Sequence, residues 1–288
     1  MEKNNTLPFI EPALAAEGSA WAGADKKAVL AVSFGTSYNE SRTASIGAVE
    51  SAIADAFKEF EVRRAFTSQM VINKLKRRDG ERIDNVEEAM KRLVADGVKT
   101  LVVQPTHVTN GFEYEKMADA VTRFAEQFDA LALGKPLLTS DEDYARLADI
   151  LLEETAPYNK PKTAVVFMGH GTGHPANTAY ARLGDIFKAT DGAKNYYIAT
   201  VEATPTLADV LAEVAQTDAT RVVLLPLMIV AGDHASNDMA GHGDDSWRTQ
   251  FEKAGYAVEC VIKGLGEYPG IRQMFLSHTR DAINTLEK

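Results

Sequence analysis

From Lys26 onward, short runs of consecutive apolar residues alternate with longer segments whose apolar positions recur every three or four residues. Runs of the first kind fit strands buried on both faces of a parallel sheet. Segments of the second kind fit the amphipathic helices that cover such a sheet. Ala28-Val29-Leu30-Ala31-Val32 reads as the first strand, followed by a helix from about Ser41 to Phe60. A strand around Glu61–Phe66, helices over 69–78 and 84–96, and a strand at Thr100–Val103 come next, then helices over about 113–128 and Asp141–Glu154. Pro161 ends a polar connector and the pattern restarts. Strands are expected at Thr163–Met168, Tyr196–Val201, Arg221–Val230 and Ala257–Ile262, with helices at about 176–189, 206–216, 244–254 and 269–286.

The restart is a repeat in detail. Val29-Leu30-Ala31-Val32-Ser33-Phe34-Gly35-Thr36 lies over Val165-Val166-Phe167-Met168-Gly169-His170-Gly171-Thr172, and Leu101-Val102-Val103-Gln104-Pro105 lies over Val222-Val223-Leu224-Leu225-Pro226. Six residues past each proline stands a glycine, Gly111 and Gly232. Two matches in the same order favour an internal duplication over two chance strand–glycine turns. The expected fold is α/β, with two similar three-layer halves, 26–155 and 160–288, each with a mainly parallel sheet; residues 1–25 form a poorly structured extension. Such sheets bind ligands outside the carboxyl ends of their strands.

At those ends the two copies differ. Where the first has Phe34 the second has His170, and where the first has Glu113 the second has His234. Glu202 directly follows the strand at Tyr196–Val201. Two imidazoles and one carboxylate make an open divalent-metal site with positions left for water or substrate. Each residue also has a plain structural reading: a hydrogen-bonded turn histidine, a tight glycine turn, or, for Glu202, a cap on the helix after Pro205. Their common place at three strand ends favours the site. The other histidines carry less. His174 stands near a helix start, His107 ends a first-copy strand, His242 lies in a Gly/Asp-rich loop, and His278 sits in the last helix with surface or packing duty.

Composition narrows the chemistry. The 288 residues are 45% hydrophobic and 25% charged, as in a globular protein with a sizeable core. The net charge of −10 disfavours nucleic acid as a partner and helps collect cations. One cysteine, Cys260, allows no intrachain disulfide and no thiolate metal cluster. No apolar run reaches the roughly 20 residues of a membrane span. A cytoplasmic location is expected; the stretch around Ala13-Leu14-Ala15 leaves a processed export signal, and hence the periplasm, as the alternative. There is no Gly-x4-Gly-Lys-Ser/Thr loop, so no ATP is expected to be used.

Ser33-Phe34-Gly35-Thr36-Ser37, Met168-Gly169-His170-Gly171-Thr172 and Val201-Glu202 resemble the anaerobic cobalt chelatases of cobalamin biosynthesis. So does the block from Pro226-Leu227-Met228 through Ala231-Gly232-Asp233-His234-Ala235 and Asn237-Asp238-Met239-Ala240-Gly241 to Asp244-Asp245-Ser246-Trp247. The resemblance implies a class II chelatase fold whose two halves flank a tetrapyrrole cleft. It makes His170, Glu202 and His234 the metal ligands, and the two histidines the catalytic residues. It implies insertion of Co²⁺, with Fe²⁺ and Ni²⁺ as alternatives, into a sirohydrochlorin-type tetrapyrrole; one of the two histidines, His170 by a small margin over His234, is expected also to assist deprotonation. The Phe34 and Val108–Phe112 loops would wall the ring, and Arg42 is a candidate partner for its carboxylates. Some family members bind haem through a histidine on the helix after the third strand; the segment from Glu113 to Phe128 has none, so haem is not expected. A homo-oligomeric assembly stays open. The competing functions are a tetrapyrrole or metal carrier without turnover, and a hydrolase using the same three residues to activate water.

Overall fold

Six consecutive buried residues, Ala28 to Ser33, make up nearly the whole of the central strand of the N-terminal sheet. In the computed structural model, which describes residues 26–286, this strand is β1 (Lys27–Ser33). It pairs in parallel with β2 (Glu61–Phe66) on one side and β3 (Thr100–Pro105) on the other, and β3 carries the outer strand β4 (Ala130–Leu133). The second sheet has the same order: β6 (Tyr196–Thr200), β5 (Thr163–Gly169), β7 (Arg221–Pro226) and β8 (Ala257–Cys260), all parallel. The registers agree as well. Ser33 pairs with Phe66 and Val32 with Pro105, as Gly169 pairs with Thr200 and Met168 with Pro226. The duplicated, parallel α/β architecture expected from the apolar runs is the architecture observed.

Besides the single α-helical turn Asn39–Arg42, the α-helices are α1 (Ala48–Ala56), α2 (Gln69–Asp79), α3 (Val86–Ala95), α4 (Phe112–Thr122), α5 (Asp141–Thr155), α6 (Thr178–Ala189), α7 (Leu207–Val214), α8 (Trp247–Lys253) and α9 (Pro269–Leu286). On one face of the first sheet, Leu30, Val32, Leu101 and Val103 pack with Met90 and Leu93 of α3 and Met117 and Val121 of α4. The same face of the second sheet packs Val166, Met168, Val222 and Leu224 with Val210 and Val214 of α7 and Phe251 of α8. On the opposite faces the copies diverge. Arg64 of β2 makes a two-pronged, fully buried ion pair with Glu50 of α1, at 2.9 and 2.5 Å. Burial pushes the Glu50 carboxyl up, and the Arg64 guanidinium pulls it back. The second copy instead stacks Phe167, Phe187 and Tyr196.

The chain divides into two compact units, one ending at Leu137 and regaining the chain from Arg272, the other Leu138–Ile271. The expected halves, 26–155 and 160–288, differ from these units by an exchange of helices. α5 belongs to the second unit, and most of α9 to the first. Within the first unit, Thr279 of α9 donates a hydrogen bond to the Gln104 side chain at 3.1 Å, and Arg280 lies over the Phe57 ring. The expected extension 1–25 lies outside the described residues. Among the described residues, no helix is long and apolar enough to cross a membrane.

Three elements depart from expectation. The segment expected as a helix over 113–128 ends at Thr122, and the Ala-Leu-Ala-Leu stretch after it forms the short outer strand β4. The helix expected from Ser41 to Phe60 begins earlier, takes a π-helical turn at Thr43–Gly47, and ends at Ala56. The strand expected over Arg221–Val230 stops at Pro226, with one further bond from the Leu227 N–H to the Met168 carbonyl at 2.7 Å.

Candidate metal centre

The site is built by backbone before side chains. β5 ends on Gly169, where a Cβ would stand 2.2 Å from the Tyr180 ring, so only glycine lets α6 pack this closely. Gly171 is left-handed at φ +81°, and a Cβ there would meet the Ala203 nitrogen at 2.9 Å. The turn between them, carrying His170, is thereby pressed against the exit of β6. The parallel ladder continues past β6: the Val201 N–H donates to the Gly169 carbonyl at 3.0 Å and the Glu202 N–H to the His170 carbonyl at 2.9 Å. That last bond sets Glu202 beside His170. Its carboxylate lies 3.7 Å from His170 Nδ1. Asn177 ties the two loops, accepting from the Thr172 N–H at 3.0 Å and donating to the Thr204 carbonyl at 2.7 Å.

Glu202 does not cap the following helix. Thr206 does, in a reciprocal capping box with Asp209 at the start of α7.

His234 stands eight residues past the end of β7 and opens a π-helical turn, Ala235–Met239. Its ring lies 4.8 Å from that of His170, edge to face. One potential ligand atom from each of His170, Glu202 and His234 lies within 4.8 Å of the other two. Tetrahedral ligands at about 2.1 Å from an ion sit about 3.4 Å apart, so binding an ion requires a modest inward closure. The half-exposed side chains of His170 and Glu202 have room to make it. Each imidazole has an acceptor at Nδ1: the Gly171 carbonyl at 2.9 Å for His170, and the Asp238 carboxylate at 2.5 Å for His234. Both Nε2 atoms are thereby left for an ion. The sequence reading does not single out Asp238; its spacing of four residues from His234 is the one signal that points to it.

The remaining candidates are placed elsewhere. His174 Nδ1 accepts the Ala176 N–H at 3.0 Å and caps the short turn Pro175–Asn177. His107 follows β3 with both ring nitrogens buried and neither hydrogen-bonded. Burial pushes that imidazole down to about 4, against the pull of the Glu113 carboxylate, so it is neutral near pH 7. His242 is exposed. His278 is buried in α9, a packing residue. Arg42 is the clearest correction. It is buried, donates to the Thr36 carbonyl at 3.1 Å and pairs with Glu81 at 2.7 Å. With its guanidinium committed to Glu81 and the Ser33–Ser37 turn, it is not free to bind substrate carboxylates.

The family model described as cobalt chelatase (CbiK) matches residues 27–284. The chain is 41% identical to a sirohydrochlorin cobaltochelatase of Salmonella typhimurium, over 90% of this chain and 97% of the relative. It is 33% identical to the sirohydrochlorin cobaltochelatase CbiKC of Nitratidesulfovibrio vulgaris, over 91% of this chain and 92% of the relative. Among solved structures, SirB from Bacillus subtilis with Fe³⁺ shares the fold at TM-score 0.63 and 15% identity, covering 91% of this chain and 98% of that one. A chelatase-type fold, a His–Glu–His cluster at its strand ends and a sequence match over nearly the whole described chain agree: this chain belongs to the CbiK cobalt chelatase family.

Proposed function

We propose that this chain inserts Co²⁺ into sirohydrochlorin, with His170, Glu202 and His234 holding the ion for transfer. The observation that carries the assignment of residues is the convergence of two imidazoles and one carboxylate within 4.8 Å. It occurs at strand ends of a chain whose relatives are named for this reaction. Borderline nitrogen and oxygen donors suit cobalt, and three of them leave coordination positions open, as an ion in transit requires. The same donors accept Fe²⁺ and Ni²⁺, and availability decides among them.

Insertion replaces two pyrrole N–H protons by one divalent ion. The ion must shed water, meet the ring nitrogens and leave the protein. A site of exposed side chains with open positions does this better than a closed cage. His170, whose nearest Nδ1 partner is the neutral Gly171 carbonyl, is the group we assign to receive one pyrrole proton once the ion has left it, the second passing to water. No step uses ATP. Protons compete with the ion for imidazole and carboxylate, so insertion slows as the solution is acidified.

The test is the initial rate of cobalt insertion, followed by the absorbance change of the ring, for the parent, His170→Ala, His234→Ala and the double variant. Each single variant loses most of the activity while remaining folded, because strand-end loop residues contribute little to the core. The double is little worse than either single, since all three disable one ion-holding unit. A double variant that turns over near the parental rate would remove the triad from the reaction. If it does so while still binding the ring, the site belongs to a carrier.

A further inference from the structure

The two imidazoles of the cluster are supported unequally. His170 Nδ1 is hydrogen-bonded to a neutral carbonyl at 2.9 Å with the Glu202 carboxylate farther off at 3.7 Å, whereas His234 Nδ1 meets the Asp238 carboxylate at 2.5 Å, a short and charge-assisted contact. An imidazole that gives its Nδ1 proton to a carboxylate presents its Nε2 lone pair in a fixed direction and with raised basicity. Asp238 is free for that duty: its only ion-pair partner among the described residues is His234.

The backbone holds the pair in place. His234 opens the π-helical turn Ala235–Met239, in which the Ala240 N–H reaches back five residues to the Ala235 carbonyl at 3.2 Å. The Gly241 N–H closes the turn onto the Asn237 carbonyl at 3.1 Å, and a Cβ on Gly241 would stand 2.2 Å from that oxygen. Asn237 adds a side-chain strap to Asp233 across the same turn at 3.1 Å.

We infer that Asp238 is the positioning residue of this site. It makes His234 the anchoring ligand for the incoming ion and leaves His170 and Glu202 as the ligands that let go first. The inference rests on the ion-holding role proposed above for His234.

The test is a titration of the full-length protein with Co²⁺ alone, followed by its ligand-field absorbance. The variants are Asp238→Ala, Asp238→Asn, His234→Ala and the His234→Ala, Asp238→Ala double. Asp238→Ala weakens cobalt binding about 10- to 100-fold. In turnover it raises the KM for cobalt and leaves the KM for the tetrapyrrole unchanged, a split that a general loosening of the fold would not produce. Asp238→Asn keeps an acceptor of the same shape but no charge, so its loss is smaller. It carries the same test if the alanine variant does not fold. In the His234→Ala background, Asp238→Ala adds nothing. If Asp238→Ala and Asp238→Asn bind cobalt like the parent while His234→Ala does not, the inference is overturned. It is equally overturned if Asp238→Ala costs as much without His234 as with it, since Asp238 would then act on the ion directly. A His234→Ala variant that binds cobalt like the parent rejects the metal-site reading itself.

Discussion

The turn after β1 and the turn after β5 are the same piece of backbone carrying different chemistry. In the first unit, the Thr67 N–H donates to the Ser33 carbonyl and the Ser68 N–H to that of Phe34. In the second, Val201 donates to Gly169 and Glu202 to His170. Gly35 and Gly171 are both left-handed, and both press so closely on a neighbour that a side chain would clash. Phe34 and Ser68 therefore occupy the places of His170 and Glu202, and Glu113 stands eight residues past its strand as His234 does. What changed between the copies is the assignment of tasks. Ser68 caps α2, accepting the Val71 N–H. In the second unit the cap has moved to Thr206, four residues on from Glu202, which frees Glu202 for the cluster. The comparison teaches that a site can be gained on a fixed scaffold once the structural duty of one position passes to a neighbour.

The sharpest way to break the comparison is to restore the first unit's residue in the second. His170→Phe abolishes insertion, by roughly a thousandfold or more, while leaving the far-ultraviolet circular dichroism unchanged. Next comes the contrast between the buried faces. Glu50→Ala strands Arg64 without its partner and costs about 3–5 kcal/mol in urea unfolding. The Glu50→Leu, Arg64→Met double recovers most of this, because the matching face of the second unit is already apolar. Ser68→Ala removes a helix cap and costs about 1 kcal/mol of stability. Glu202→Ala leaves stability unchanged and weakens cobalt binding, read by titration. A Glu202→Ala variant that unfolds early would show that the division of tasks is incomplete.

A further contrast lies in pH dependence. Folded His107 takes up a proton only near pH 4, whereas the unfolded chain does so near 6.5. Its contribution is thus fully present above about 6.5 and declines as the pH falls toward 4. The matching residue of the second unit is Met228, so His107→Met should flatten the unfolding midpoint over that window. An unchanged slope would place the acid sensitivity elsewhere.

The strands buried on both faces were legible because nothing but an apolar run satisfies both neighbours at once, as in Ala28–Val32 and Val165–Met168. The cluster was legible because the repeat supplied its own reference: a histidine against a phenylalanine at the same turn stands out without other sequences. β4 was not legible. Four residues at a sheet edge, three of them half-buried, leave almost no period, and alanine and leucine suit a helix equally well. The end of β7 was misjudged because Leu227–Val230 continues the apolar run, although the chain has turned away after Pro226. The Arg64–Glu50 pair and the Asp238–His234 contact depend on side-chain directions across elements, which spacing along the chain only constrains. The exchange of α5 and α9 between units is a matter of long-range packing, and a repeat read along the chain divides it at the repeat boundary instead.

That exchange bears on how the protein is made. The first unit is built from two separated stretches of chain, and its Gln104 side chain waits for Thr279. The second unit, Leu138–Ile271, is continuous and ends within the first turn of α9. The unit that begins first is therefore not the first able to close; the continuous unit carrying the His–Glu–His cluster is. A nascent chain that has emerged only as far as Ile271 would carry all of the second unit, with its His–Glu–His cluster, beside a first unit still lacking most of α9. Loss of the C-terminal helix in the mature protein would likewise be felt first at the opposite end of the sequence.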